Sequence, residues 1–166
     1  MLSPVGKVTF AVLDKPDTRF FNDGIYSISI EIPPEDSTEF IAELDSLMKN
    51  SLAQAKAANG NRKVKAAQAP YDILEDKSVR LRFKMKAGGI GPSGERWARK
   101  PEVFDADLNR IEPFIPSGST ARVSFEGSAF YTSLIGAGIS LRLAAVQVKD
   151  LINIHPVTYK YGFTPI

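Results

Sequence analysis

The residues best placed to do chemistry lie between positions 79 and 100. Val79-Arg80-Leu81-Arg82-Phe83-Lys84-Met85-Lys86 alternates apolar and cationic side chains without a break. On an extended strand, successive side chains point to opposite faces. The octapeptide therefore predicts a strand with Val79, Leu81, Phe83 and Met85 toward a core and Arg80, Arg82, Lys84 and Lys86 in a row on the other side. A glycine turn follows (Gly88, Gly89, Gly91), and then Arg96-Trp97-Ala98-Arg99-Lys100, which holds the only tryptophan. Between residues 80 and 100 there are seven basic residues and one acid, Glu95, a local net charge of +6. Cations beside a flat aromatic suit unpaired nucleic acid, because phosphates call for positive charge and unstacked bases for flat partners. The pattern fits equally well the hydrated outer face of an ordinary sheet, with Trp97 tucked into a core.

Other chemistries find little support. The chain has no cysteine, which removes disulfides, thiolate catalysis and zinc–thiolate sites and agrees with a reducing compartment. Its one histidine, His155, precedes Pro156 and reads as a surface residue, so neither a Cys–His site nor a zinc deaminase pattern is present. Glu102, Asp105 and Asp107 could converge on magnesium in a nuclease, but Asp105 and Asp107 fall where a hairpin wants turn residues. No catalytic constellation and no cofactor motif emerges, and the chain reads as a non-enzyme. With 166 residues, 43% hydrophobic and 24% charged, it has the composition of one soluble domain, and its formal charge of +2 makes the basic cluster a matter of placement. No run of 18 apolar residues and no signal-peptide pattern occurs, so an intracellular protein that does not enter a membrane is expected.

The elements that must position the basic strand are legible in outline. Residues 6–14 predict a first strand with Val8, Phe10 and Val12 on one face and Lys7 and Thr9 on the other. Lys15-Pro16-Asp17-Thr18-Arg19 and Asn22-Asp23-Gly24 predict turns. Between them, Arg19-Phe20-Phe21 reads as a loop anchor rather than a stacking surface, since large apolar groups on loops usually turn inward. Residues 24–32 predict a second strand with Tyr26, Ile28, Ile30 and Ile32 inward. Pro33-Pro34 ends it, and Asp36 with Glu39 suggests a capping box for a helix over 36–58. That helix has an apolar stripe at Phe40, Ile41, Leu44, Leu47, Met48 and Leu52, and Asn59-Gly60 stops it. Residues 61–69 read as a loop in which Arg62, Lys63 and Lys65 could meet phosphates. Residues 101–111 predict a hairpin turning at 107–109, and Pro116-Ser117-Gly118-Ser119 a tight turn. Residues 120–125 predict a strand with Val123 and Phe125 opposite Arg122, and residues 139–148 a last strand. Short strands with regular turn signals favour a closed or nearly closed barrel over a parallel sheet.

In this order the chain resembles the single-stranded DNA-binding proteins of short-tailed phages. The matching residues are Leu13-Asp14-Lys15-Pro16-Asp17, Gly24-Ile25-Tyr26-Ser27-Ile28, the helix, Pro70-Tyr71 and Leu81-Arg82-Phe83-Lys84-Met85-Lys86. They continue with Gly118-Ser119, Phe130-Tyr131 and Gly136-Ala137-Gly138-Ile139-Ser140-Leu141-Arg142-Leu143. No single motif is specific; the ordered set, over residues 7 to 150, carries the resemblance. It implies a mainly β oligonucleotide-binding (OB) fold, a five-stranded Greek-key barrel with one α-helix inserted after the second strand. That domain would span 1–150, with a C-terminal extension over 151–166. It also implies a replication protein that coats unpaired DNA in the cytoplasm of an infected bacterium, alone or as a homodimer, and works with a DNA polymerase and helicase.

By position the resemblance places Lys84, Lys86, Phe130 and Tyr131 on the DNA, the last two at the turn between strands four and five. Lys86 stands where a relative has an aromatic, a role Trp97 could fill. The full candidate set is Lys7, Arg80, Arg82, Lys84, Lys86, Arg96, Arg99, Lys100 and Arg122 for phosphates, and Trp97, Phe130 and Tyr131 for bases. The family ends in a long acidic tail that recruits partners. The sequence here closes on Gly162-Phe163-Thr164-Pro165-Ile166 with no acidic run, so contacts made through such a tail are not carried over. An RNA- or duplex-binding barrel, a metal-dependent nuclease using Glu102, Asp105 and Asp107, and a phage structural protein are the alternatives.

Overall fold

The computed structural model describes residues 1–60 and 63–152. In chain order its elements are β1 (Gly6–Asp17), β2 (Ile25–Ile32), α1 (Pro34–Ala58), β3 (Tyr71–Ile73), β4 (Val79–Lys86), β5 (Gly88–Ile90), β6 (Arg96–Ala98), β7 (Glu102–Phe104), β8 (Thr120–Thr132) and β9 (Gly136–Asp150). Neighbouring strands run β3-β4-β2-β1-β8-β9-β7, and β4 also meets β9 at Lys84↔Arg142. That last contact is parallel and closes β1, β2, β4, β9 and β8 into a five-stranded barrel. The architecture is an OB-fold with its helix after the second strand, as expected. Closure rests on this one pair, so the barrel is only partly closed along the seam between β4 and β9.

Alternation builds the barrel interior. Val79, Leu81, Phe83 and Met85 of β4 are buried while the four cations between them are exposed. The ring of Phe83 lies 5.0 Å from that of Phe125 on β8, and Phe40 of α1 meets Phe125 edge-on at 5.9 Å. The helix thus plugs one end of the barrel through Phe40 and Leu44, and Ser51 Oγ donates to the Gly138 carbonyl of β9 at 2.8 Å.

Several elements depart from the sequence expectation for local reasons. The helix starts at Pro34, not Asp36, and its N-cap, Pro33, makes no side-chain cap. A proline at the first position needs no N–H partner and brings a suitable φ, while Glu35 and Asp36 sit in the first turn, where the helix dipole favours acids. β1 runs on through Pro16 to Asp17 where a turn was expected; the register is irregular between Val12 and Asp17, which accommodates a residue that cannot donate. A further register shift between Val8 and Phe10 turns the pleat over. Val8 and Leu13 point in, and Phe10, expected on Val8's face, points out. β8 and β9 are longer than expected, so Phe130 and Tyr131 belong to a strand, with the turn at 133–135. Arg62, His155 and the extension beyond Ile152 lie outside the described residues.

Candidate nucleic-acid interface

The outward row of β4 is read best with its neighbours. Across β1, β2 and β4, Lys7, Glu31 and Arg80 form one transverse row, and Phe10, Ser29 and Arg82 the next. The acid missing from β4 itself is supplied by β2. Arg80 donates from Nε and Nη2 to Glu31 Oε1 at 3.1 and 2.7 Å, and it faces Asp72 of β3 on its other side. Arg80 is therefore already partnered, and the four-cation stripe is in effect a three-cation one. Farther along, β2 presents Ser29 and Ser27, and then Ile25 opposite Lys86. Ser27 and Ser29 are small enough to be covered, so the Arg82 guanidinium reaches over β2 to lie 5.5 Å from the Phe10 ring centre. Lys84 follows, level with Arg142 of β9, and then Lys86.

Trp97 comes to this row on the β5–β6 hairpin. Gly89 is its cross-strand partner, and a Cβ there would sit 2.8 Å from Cζ2 of the indole, so the ring rests on bare backbone. Arg99 holds the hairpin's base by donating from Nε to the Lys86 carbonyl at 2.9 Å, and its guanidinium lies 5.0 Å from the indole. Trp97 keeps 37% of its surface exposed and is not a core residue. Gly89→Val should unseat the indole and shift its emission to the red, with little loss of stability because the hairpin is peripheral. Unchanged emission would show that the glycine does not set the ring's position.

Between the barrel and this hairpin lies a cleft of about 740 Å³. Its walls carry Arg82, Lys84, Lys86, Arg99 and Arg142 against one acid, Asp72, with Trp97 at one side and Tyr71 at the other. The Tyr71 hydroxyl donates to Asp45 of α1 at 2.8 Å, which ties that wall to the helix. Partial burial and the negative charge of Asp45 raise the phenol's pKa, so the hydroxyl keeps its proton. A groove of this kind can neutralise several phosphates and offer flat surfaces.

No protein-family model and no curated protein sequence matches the chain. Solved structures do. Gp2.5, a single-stranded DNA-binding protein encoded by bacteriophage T7, superposes with a TM-score of 0.81 at 23% identity, covering 93% of each chain. The single-stranded DNA-binding protein of bacteriophage Enc34, solved in complex with ssDNA, superposes with a TM-score of 0.65 at 12% identity, over 92% of this chain and 86% of that one. The chain has the fold of the phage single-stranded DNA-binding proteins.

On this phage-type barrel the remaining candidate residues are dispersed. Lys7 is opposite Glu31 in the β1–β2 register and lies in a shallow cleft with Asp36 and Asp76, away from the main one. Arg122 donates from Nε to Gln147 Oε1 at 2.8 Å and lines a separate hollow with Val5 and Ala106. Arg96 and Lys100 are exposed on and just after β6. Phe130 and Tyr131, expected to act together on a turn, point to opposite faces because they are adjacent in β8. Phe130 lies outward over Gly138, where a Cβ would be 3.1 Å from its ring, on the face that carries Ser140 and Arg142. Tyr131 lines a different hollow, with Lys63 and Lys65. Two of the three carboxylates proposed for a metal are otherwise engaged. Glu102 pairs with Arg110, and Asp105 accepts from the backbone N–H groups of Asp107 and Asn109, bonds that lower its pKa. Among the described residues no group of acids and histidines is arranged to hold a metal ion.

Sequence reasoning missed Arg142, Tyr71 and Phe10 in or beside the site. Arg142 sits in a strand whose pattern was legible (Leu141 and Leu143 in, Arg142 out), but its proximity to Lys84 is a matter of barrel closure. Phe20 and Phe21, expected to anchor their loop, are 82% and 55% exposed.

Proposed function

We propose that this protein binds single-stranded DNA without sequence specificity and serves phage replication by coating unpaired strands. The observation that carries the reading is the cleft in which five cations and Trp97 face one acid. Phosphates pair with Arg82, Lys84, Lys86, Arg99 and Arg142 while bases stack on the exposed rings, and stacking is open to every base. The likeness in fold to phage proteins that bind single-stranded DNA supports the same reading. Binding rather than catalysis is the role. Its setting is the cytoplasm of the infected host, and a phage polymerase and helicase are the protein partners that such a role calls for.

The test is a titration of Trp97 fluorescence with unlabelled oligo-dT at two salt concentrations. Quenching should saturate. With five phosphates neutralised, the slope of log K against log salt should be about −3.5, so affinity falls about a hundredfold between 50 and 200 mM salt. Single-stranded RNA and duplex DNA should compete less well than single-stranded DNA. No quenching and no binding by gel shift would remove the function and leave the fold; equal competition by duplex would favour a duplex-binding barrel.

A further inference from the structure

We infer that loop 18–24 is a second base-stacking station, at which Phe20 and Phe21 receive bases of the strand as it leaves the main cleft. This rests on the proposed single-stranded DNA reading and extends it to residues outside the candidate set. Three observations converge on the loop.

The first is the exposure of its rings. Two adjacent phenylalanines lie at 82% and 55% exposure on a loop, the reverse of where large apolar groups usually go. The second is that the loop is built rather than slack. Gly24, at φ +80°, packs on Pro16 so tightly that a Cβ would stand 2.6 Å from the proline Cβ, and its N–H donates to the Phe21 carbonyl at 2.9 Å. Asp17 accepts from the Arg19 backbone N–H at 3.0 Å and takes the guanidinium through both oxygens, at 3.0 and 2.7 Å. This fixes Arg19 with its guanidinium 5.8 Å from the Phe20 ring. The bonds from Arg19 hold the Asp17 carboxyl down at a pKa of about 2, so Asp17 is ionised at neutral pH.

The third observation identifies the occupant. The loop and the barrel form a hollow of about 250 Å³ lined by Arg19, Phe20, Phe21, Ser27, Arg82 and Lys84, and also by Asp17 and Ile25. Arg82, Lys84 and Ile25 also line the main cleft, so the two spaces meet across the basic row. Arg19 already has Asp17, but an apolar protein partner would leave Arg82 and Lys84 without counter-charges, and a purely anionic one would leave two rings without partners. A nucleotide satisfies both, with its base on a ring and its phosphate on Arg82 or Lys84. The strand then crosses the barrel from Trp97 to Phe20, passing over the cations between them.

Two double variants test this, Phe20→Ala with Phe21→Ala and Phe20→Leu with Phe21→Leu. Both alter exposed side chains, and their folding is checked by thermal unfolding. Each is titrated, with Trp97 emission as the local reporter, against oligo-dT of about 4 and about 16 nucleotides, near the limits of single-barrel site sizes. Both variants should lose about tenfold or more in affinity for the longer oligonucleotide, the worth of at least one base stack, and bind the shorter one with unchanged affinity and quenching. Full affinity of the leucine variant for the longer oligonucleotide would overturn stacking. Wild-type affinity of both variants at both lengths would remove the second station while the main cleft stands. Failure of the wild-type protein to bind either length would remove both readings together.

Discussion

Alanine at Arg82, Lys84 and Lys86 together lowers affinity for oligo-dT by about a thousandfold at low salt, which assigns each lost charge-assisted contact the low end of its usual worth of about 1.5–3 kcal/mol. The salt dependence changes with it. Five cations in the cleft give a slope near −3.5, and the two that remain, Arg99 and Arg142, give about −1.4. Between 50 and 200 mM salt the variant therefore loses only about sevenfold where the wild-type protein loses about a hundredfold. All three side chains are exposed, so the unfolding midpoint should hardly move. The measurement is a fluorescence or anisotropy titration over a salt series. A variant that keeps the wild-type slope would show that phosphates lie elsewhere on the barrel. Arg80→Ala is the internal control: its guanidinium belongs to Glu31, and its loss should leave the slope close to wild type.

Phe83→Ala acts on the same strand with the opposite signature. Phe83 is fully buried, and its ring touches Phe125, which in turn meets Phe40 of the helix. Deleting it removes the buried area of an aromatic and opens a cavity where β4, β8 and α1 converge, at a cost of about 3–5 kcal/mol. That is a large part of the stability of a domain this size. Urea unfolding followed by circular dichroism reads it directly. A loss below about 1 kcal/mol would mean that the barrel collapses around the vacancy and that the aromatic trio is not its keystone. Phe83 and its neighbours Arg82 and Lys84 are consecutive in sequence, yet one variant should appear almost wholly in the unfolding curve and the other almost wholly in the binding curve.

The strength and the limit of the sequence reading both follow from range. The period of two along Val79–Lys86 is local, and the structure places every one of its side chains where that period puts it. The helix was legible for the same reason, although its first turn was misplaced: a proline start competes with a capping box, and composition cannot rank them. What stayed hidden was set by other strands. The bulge after Val8 has no marker residue, so Phe10's outward turn and its place beside Arg82 were invisible. Arg80 looked as free as Arg82 until β2 brought Glu31 beside it. Lys7 and Arg122 were on polar faces as read, but a barrel has outer faces on all sides, and theirs turn away from the cleft. For Phe20 and Phe21 the general tendency of apolar loop residues to turn inward pointed the wrong way, because only the built loop shows that no interior lies within their reach.

Two of the aromatic rings share an arrangement that bears on the thermodynamics of recognition. Trp97 lies on Gly89 and Phe130 on Gly138, each pair facing one another across an antiparallel ladder. A ring seated on a glycine has given up much of its rotamer freedom when the chain folds. Immobilising a free side chain on association costs about 0.5–1.5 kcal/mol, and for these two that entropy is already lost before any ligand arrives. Phe20, standing clear of the surface, loses its freedom only on contact. The barrel therefore carries two kinds of platform: seated rings whose contribution is nearly all interaction energy, and a loop ring whose contribution is discounted by its own ordering and is correspondingly easier to release.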